Sequence, residues 1–216
     1  SFKLGQIIGR GAMGEVYEAR HVTTGEEAAV KLLLDHVLAQ PDHVERFYRE
    51  AKIVSSLNAA NVVKVLAVAD RDSSIPYIAM ERLHGQDLSD WLRARRRLTL
   101  PIVLTMIRQV GHGLEAARTS GIVHRDLKPR NLFLAKFGNA EVWKILDFGV
   151  SKLIGEDHTL TRDARVGTPS YMAPEQITGG AVTHRTDIFA LGVIAYRSLT
   201  GRPAFSGDSE SEILYK

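Results

Sequence analysis

The residues in this sequence that could do chemistry begin at a glycine-rich stretch. Gly9-Arg10-Gly11-Ala12-Met13-Gly14-Glu15-Val16 spaces three glycines as G-x-G-x-x-G-x-V. Such a turn lets backbone N–H groups approach and bind phosphate oxygens. By itself the pattern is weak: with 18 glycines in 216 residues it arises by chance roughly 0.12 times per chain, and a plain β-hairpin turn explains it equally. A dinucleotide-binding fold is disfavoured, because Glu15–Arg20 continues as a strand where that fold opens a helix. Two residues apart on the next predicted strand, Ala29 and Lys31 face one way. A small side chain beside a cation suits a flat base and its phosphates, while a surface lysine is the plainer reading. Glu50, on the apolar side of a predicted helix, is either a partner for Lys31 or a solvated charge.

The second group is denser. His124-Arg125-Asp126-Leu127-Lys128-Pro129-Arg130-Asn131 is followed sixteen positions after Asn131 by Asp147-Phe148-Gly149, and later by Ala173-Pro174-Glu175. Taken singly, Asp147 reads as a turn aspartate and His124 as a packed core imidazole. Together the blocks resemble the signature set of the eukaryotic-type protein kinase family. Seven of the eight residues at 124–131 match that pattern, which has a chance probability on the order of 10⁻⁹ per site. The resemblance runs from Phe2 to the chain end. Tyr77-Ile78-Ala79-Met80-Glu81 and Gly167-Thr168-Pro169-Ser170-Tyr171-Met172-Ala173-Pro174-Glu175-Gln176 look most like bacterial serine/threonine kinases.

The resemblance implies a role for each matching residue. Asp126 would accept or orient the substrate hydroxyl proton, and Lys128 would neutralise the transferring phosphoryl group. Asn131 and Asp147 would supply hard oxygen ligands to Mg²⁺, or to Mn²⁺ in its place. Lys31, paired with Glu50, would hold the α- and β-phosphates of ATP under Gly9, Gly11 and Gly14. Met80 matches the gatekeeper, the backbones of Glu81 and Leu83 would bond the purine edge, and Asp87 would meet the ribose. Val16, Ala29 and Phe133 would sandwich the ring, with Phe133 narrowing the pocket floor in place of the usual aliphatic residue. His124 is implied to be structural, stacked with Phe148 and Val54. Lys128 after Leu127, together with Thr168, implies serine or threonine hydroxyls of protein substrates. Arg125 implies a basic pocket for a loop phosphate, with Thr159 and Thr161 as autophosphorylation sites, through self-association in trans; the plainer reading makes them ordinary polar loop residues. Arg197 stands where basic-directed kinases often carry an acid, so no strong preference for upstream arginine is expected. A pseudokinase or nucleotide-binding scaffold is the alternative, disfavoured because Lys31, Glu50, Asp126, Asn131 and Asp147 are all present. A small-molecule phosphotransferase is disfavoured by Leu127-Lys128-Pro129 and Ala173-Pro174-Glu175.

The elements that must position these residues are legible from periodicity. Strands are predicted at Phe2–Ile8, Glu15–Arg20, Glu27–Leu34, Val62–Ala69 and Tyr77–Met80. Val44, Phe47, Ala51, Val54 and Leu57 recur as one helical face. After Gly85 the chain turns helical, with a stripe of Val103, Ile107, Val110, Leu114 and Ala117 and an almost wholly apolar helix at Thr186–Ser198, expected to be buried on all sides. Strands first and helices second argue for an α+β fold of two lobes, a small antiparallel sheet with one helix over 1–83 and a mostly helical lobe over 84–216.

Composition agrees with this frame and excludes other classes. With 44% hydrophobic and 25% charged residues the chain is neither collagenous, disordered nor coiled-coil. An excess of +3 is too small to indicate nucleic acid as a partner. No cysteine is present, so disulfides and thiolate metal sites are absent and a reducing, cytoplasmic setting fits. The longest apolar run, Ile188 to Tyr196, is far short of the ~20 residues needed to span a membrane. Arg93 to Arg97 holds four arginines that either dock an acidic partner or, more plainly, form a solvated helix end. At 216 residues the chain is short for this family. The expectation is a catalytic domain incomplete at its C-terminal end, part of a longer protein with or without a membrane anchor, with Glu175 lacking its customary arginine.

Overall fold

A computed structural model describes residues 1–11, 14–71, 73, 75–148, 169–207, 209, 212 and 213, leaving out the side chains of Arg46, Glu50 and Pro169. The chain forms two compact units. The first comprises Ser1–Asn58 with Val63–His84, the second Ala59–Val62 with Gly85–Lys216.

In the first unit β1 (Phe2–Arg10), β2 (Gly14–His21), β3 (Glu27–Leu33), β4 (Val65–Val68) and β5 (Tyr77–Glu81) form one antiparallel sheet in the order β1-β2-β3-β5-β4. Helices α1 (Asp35–Leu38) and α2 (Pro41–Ser56) follow β3, and Pro41 opens α2 where its missing N–H has no intrahelical acceptor to lose. Two-residue alternation divides the sheet. Ala28 and Val30 pack with Ala19 and Ala79 on one face; Leu33 and Ile78 on the other pack with Val37 and with Phe47 and Ala51 of α2. The β1–β2 turn closes with Gly11 N–H donating to Gly14 O at 2.9 Å. A Cβ on Gly14 would stand 2.2 Å from Leu32 O, so the approach of β2 to β3 requires glycine there, whatever the loop binds.

In the second unit β6 (Gly85–Asp87), β7 (Leu132–Phe137) and β8 (Ala140–Ile145) make a small antiparallel sheet, accompanied by α3 (Leu88–Arg95), α4 (Leu100–Thr119), α5 (Pro174–Thr178) and α6 (His184–Thr200). Gly85, at φ +146°, would place a Cβ 2.0 Å from Leu134 O, so what reads in the sequence as a break is a strand start pressed against β7. Residues 62–64, expected to begin a strand with Val65, do not. Val62 bridges in parallel to Ile145, held by Asn61 Nδ2 donating to Trp143 O at 2.9 Å and Ile145 N donating to Asn61 O at 2.8 Å.

Two expectations about burial need correction. In α4 the buried positions are Val103, Met106, Val110, Gly113, Leu114 and Ala117, while Ile107 is partly turned to solvent at 36%. In α6, Ala190, Leu191, Val193 and Ile194 are buried, but Ile188 is 55% and Tyr196 49% exposed. One face of that helix is uncovered among the described residues.

Candidate active site

The segment from His124 to Asn131 is fixed by hydrogen bonds from three directions. Asp187, 3% exposed in the first turn of α6, accepts the backbone N–H of His124 at 2.8 Å and of Arg125 at 2.9 Å. Arg125 has φ +66°, a left-handed conformation that turns two successive N–H groups toward one carboxylate. The Arg125 carbonyl accepts from Gln176 Nε2 of α5 at 2.8 Å. Asn131 Nδ2 donates to the Asp126 carbonyl at 2.9 Å, which closes the loop and leaves the Asn131 side-chain oxygen as its remaining polar atom.

Within this frame Lys128 Nζ donates to Asp126 Oδ2 at 2.6 Å, both side chains about a fifth to a quarter exposed. A small cavity beside them is lined by Arg125, Lys128, Tyr171, Met172, Gln176 and Asp187. A carboxylate and an ammonium group therefore share one mouth. Asp147 is exposed and has φ +38°, a strained conformation for a non-glycine residue. It lies two residues beyond the end of β8, next to Phe148, which is 2% exposed.

His124 is structural, as its burial at 0% exposure requires. Its ring lies 4.8 Å from the Phe148 ring. Nε2 meets Leu146 O at 3.1 Å and Nδ1 accepts from Asp126 N at 3.3 Å, a pair that assigns the neutral tautomer with hydrogen on Nε2. Burial pushes its pKa below the ordinary 6.5, against the pull of the Asp187, Asp126 and Asp147 carboxylates. The unfolded chain therefore binds a proton below about pH 6.5 that the folded chain holds less readily, so stability falls as pH drops below that point. Urea unfolding of wild type and His124→Phe between about pH 7.5 and 5.5 checks this: the variant, although less stable, should show the shallower slope, and equal slopes refute the assignment. Asp187, whose pKa burial raises above 3.8, acts in the opposite sense from about pH 3.8 upward.

Sequence reasoning missed Asp187, Gln176 and Thr186. The signal was present for Asp187, since an acid early in a nearly apolar helix has to be buried with partners. Glu175, expected to lack a partner, accepts a hydrogen bond from Thr186 Oγ1 at 2.5 Å. Thr186 Oγ1 also accepts from Thr183 N, which ties the α5 segment to the cap of α6. Arg197 Nη1 donates to the Tyr171 hydroxyl at 2.6 Å. Asp87 caps α3, accepting from Asp90 N at 2.9 Å through one oxygen. Phe133 pairs with Asp87 across β6 and β7.

In the first unit the strand register brings together four residues from three strands. Val16 stands opposite Lys31, Lys31 opposite Ile78, and Ala29 opposite Met80. Cross-strand neighbours share a face, so Val16, Ala29, Lys31 and Met80 line the face that carries Leu33 and Ile78 against α2. Glu50 belongs to α2 beside Ala51, and its side chain lies outside the described ones. Glu81 N–H donates to Lys64 O at 2.9 Å, and its Oε1 accepts from Lys64 N at 2.8 Å. Leu83 is 6% exposed, and its N–H has no acceptor among the described residues. Gly9 and Gly11 flank the β1–β2 turn. Gly149, Thr159, Thr161 and Thr168 lie outside the described residues.

The donor set also bears on a metal. Among the described residues no group of three His, Cys, Asp or Glu side chains could hold one. One amide oxygen and one carboxylate, Asn131 and Asp147, suit a hard cation that brings its remaining oxygens from phosphates and water. No described helix is long and apolar enough to cross a membrane.

Comparison with known proteins agrees with this geometry. The family model described as "Protein kinase domain" matches residues 2–216. The serine/threonine-protein kinase Pkn1 of Myxococcus xanthus is 44% identical over 210 residues, covering 96% of this chain and 30% of that protein. The serine/threonine-protein kinase PknB of Mycobacterium leprae is 33% identical over 219 residues, covering 100% of this chain and 35% of its own length. PknA of Mycobacterium tuberculosis, named likewise, is 32% identical over 219 residues, 100% of this chain and 50% of that one. The chain spans about a third of the length of the first two of these relatives. With a family model matching residues 2–216, the chain belongs to the protein kinase family, whose members use ATP and typically a divalent metal to phosphorylate proteins.

Proposed function

We propose that this chain is the catalytic domain of a serine/threonine protein kinase, transferring the γ-phosphoryl group of ATP to protein hydroxyls. The observation that carries the reading is the Asp126–Lys128 contact at 2.6 Å, in a loop that Asn131 closes and Asp187 anchors. In the transfer, a bond forms between the substrate oxygen and the γ-phosphorus as the bond to the β-bridging oxygen breaks. Asp126 orients the hydroxyl and takes its proton, and Lys128 meets the charge on the transferring group. Asn131 and Asp147 hold Mg²⁺, or Mn²⁺, which when bound neutralises the phosphate oxygens. Lys31, positioned by Glu50, holds the α- and β-phosphates beneath Gly9, Gly11 and Gly14. Val16, Ala29 and Phe133 enclose the adenine beside Met80, the Glu81 carbonyl and Leu83 N–H bond its edge, and Asp87 offers its second oxygen to the ribose. No observation favours the scaffold reading.

The same proposal covers regulation. Thr159 and Thr161 become phosphorylated by a second copy of the chain, their phosphates pairing with Arg125, and Thr168 bonds Asp126. By family resemblance Arg197 stands where an acid would select upstream arginine, so substrates with arginine there gain no advantage. A sequence without cysteine and a reaction that uses ATP both fit a cytoplasmic setting. The test is incubation with Mg-ATP carrying labelled γ-phosphate and a generic protein substrate, followed by mass spectrometry. Label on substrate Ser or Thr and on Thr159 or Thr161 is expected. Full activity with both threonines unmodified removes the autophosphorylation proposal, and nucleotide binding without any transfer removes the kinase reading.

A further inference from the structure

The C-terminal ends of α3 and α6 meet. Leu98 N donates to Ser198 O at 2.7 Å. Gly201, at φ +72°, comes so close that a Cβ there would lie 3.0 Å from Arg96 O and 3.7 Å from Arg97 Cβ. This contact sets Arg202, distant in sequence, beside the run that ends α3. Arg93, Arg95, Arg96, Arg97 and Arg202 are all exposed. Arg93 is matched by Asp90 at 2.7 Å and Arg95 lies 5.6 Å over the Trp91 ring. Among the described residues no carboxylate pairs with Arg95, Arg96, Arg97 or Arg202.

Helix ends explain part of this charge and no more. Two helix C-termini together amount to about one negative charge, against four unpaired guanidinium groups. The turn itself is strained: Arg96 has φ +62°, held by its N–H on Leu92 O at 2.8 Å and by Arg97 N on Arg95 O at 2.7 Å. Every cation in the corner is arginine, whose planar fork binds phosphate through two parallel hydrogen bonds where lysine offers a point charge. A membrane surface attracts either cation about equally and over a broad area, so the concentration of forks at one corner favours a discrete phosphate. The corner also lies on α3, which packs against the Pro129–Asn131 turn of the catalytic loop.

We propose that this arginine corner docks a protein segment already bearing phosphoserine or phosphothreonine, so that a substrate phosphorylated once is held for a further transfer. The proposal rests on the kinase reading above. In the full-length protein the probes are a singly phosphorylated Ser/Thr peptide, its unphosphorylated twin and phosphatidylserine vesicles, with R97E/R202E and the milder R97A/R202A as variants. The phosphopeptide is expected to bind at least tenfold more tightly than its twin. R97E/R202E should lose that margin and R97A/R202A most of it. For a singly phosphorylated substrate KM should rise about tenfold in R97E/R202E, while kcat on an unphosphorylated substrate stays unchanged. Equal binding of the two peptides, an undiminished margin in both variants, or arginine-dependent vesicle binding without phosphopeptide binding overturns the proposal. Failure of the wild type to phosphorylate any substrate strikes instead at the kinase reading.

Discussion

Replacing Asp126 with asparagine should lower phosphoryl transfer about a thousandfold while ATP binding changes less than about twofold. The separation follows from which atoms the loop uses. The Asp126 backbone N–H bonds His124 Nδ1 and its carbonyl accepts from Asn131 Nδ2, and neither contact involves the carboxylate. Asparagine has nearly the same volume and keeps both backbone contacts, so the loop and the fold remain. The exchange removes the acid that would take the hydroxyl proton and the anion that holds Lys128 Nζ at 2.6 Å. Transfer from labelled ATP, nucleotide affinity by competition and the thermal midpoint should be measured together. Lost transfer with unchanged midpoint and affinity is the expected result. Retained transfer would show that the proton leaves by another route and that Asp126 has been given the wrong role. Asp147→Asn is the contrasting control, because its loss should weaken metal-dependent nucleotide binding first.

The candidate site residues were legible in the sequence because chemistry restricts residue type. The motif blocks holding Asp126, Lys128, Asn131 and Asp147 pointed to them through the family resemblance, and the strands carrying Val16, Ala29, Lys31 and Met80 were readable as short segments between glycine-bearing turns. What the sequence could not display was the support. Asp187 is 62 residues from Arg125, Asn61 is 82 from Trp143, and Arg202 reaches the α3 corner only through the fold. Such contacts obey no local period. The errors have the same origin. Ile107 fits the helical stripe of α4 as well as Met106 does, yet Met106 is at 0% exposure and Ile107 at 36%. Periodicity gives the face of a helix, and the neighbouring element decides which edge of that face is covered. Val62 reads as strand because it is β-branched among apolar residues, and its pairing with Ile145 in place of continuation into Val65 is a tertiary choice.

Asp187 is the part of that support whose removal should cost most. Its two oxygens hold consecutive backbone N–H groups at 2.8 and 2.9 Å, with the carboxyl itself almost fully buried. Burial raises its pKa, while both N–H bonds and the nearby His124 and Arg125 favour the charged form. Alanine at this position would leave two buried donors unpaired, at about 1–3 kcal/mol each. It would also loosen the hold on Arg125 at φ +66°, whose N–H Asp187 accepts. Asp187→Ala should therefore lose about 2–6 kcal/mol in urea unfolding, together with essentially all transfer activity. Asparagine keeps one acceptor oxygen but turns an amide N–H₂ toward the other donor, so Asp187→Asn should be milder in stability. A general loss of fold would lower nucleotide binding and transfer in proportion. A loop-positioning role predicts that Asp187→Asn, at a temperature well below its midpoint, binds ATP normally and transfers poorly. If that variant folds and transfers like wild type, the anchoring of His124 and Arg125 is dispensable. The Gln176, Asn131 and His124 contacts would then suffice to hold the loop.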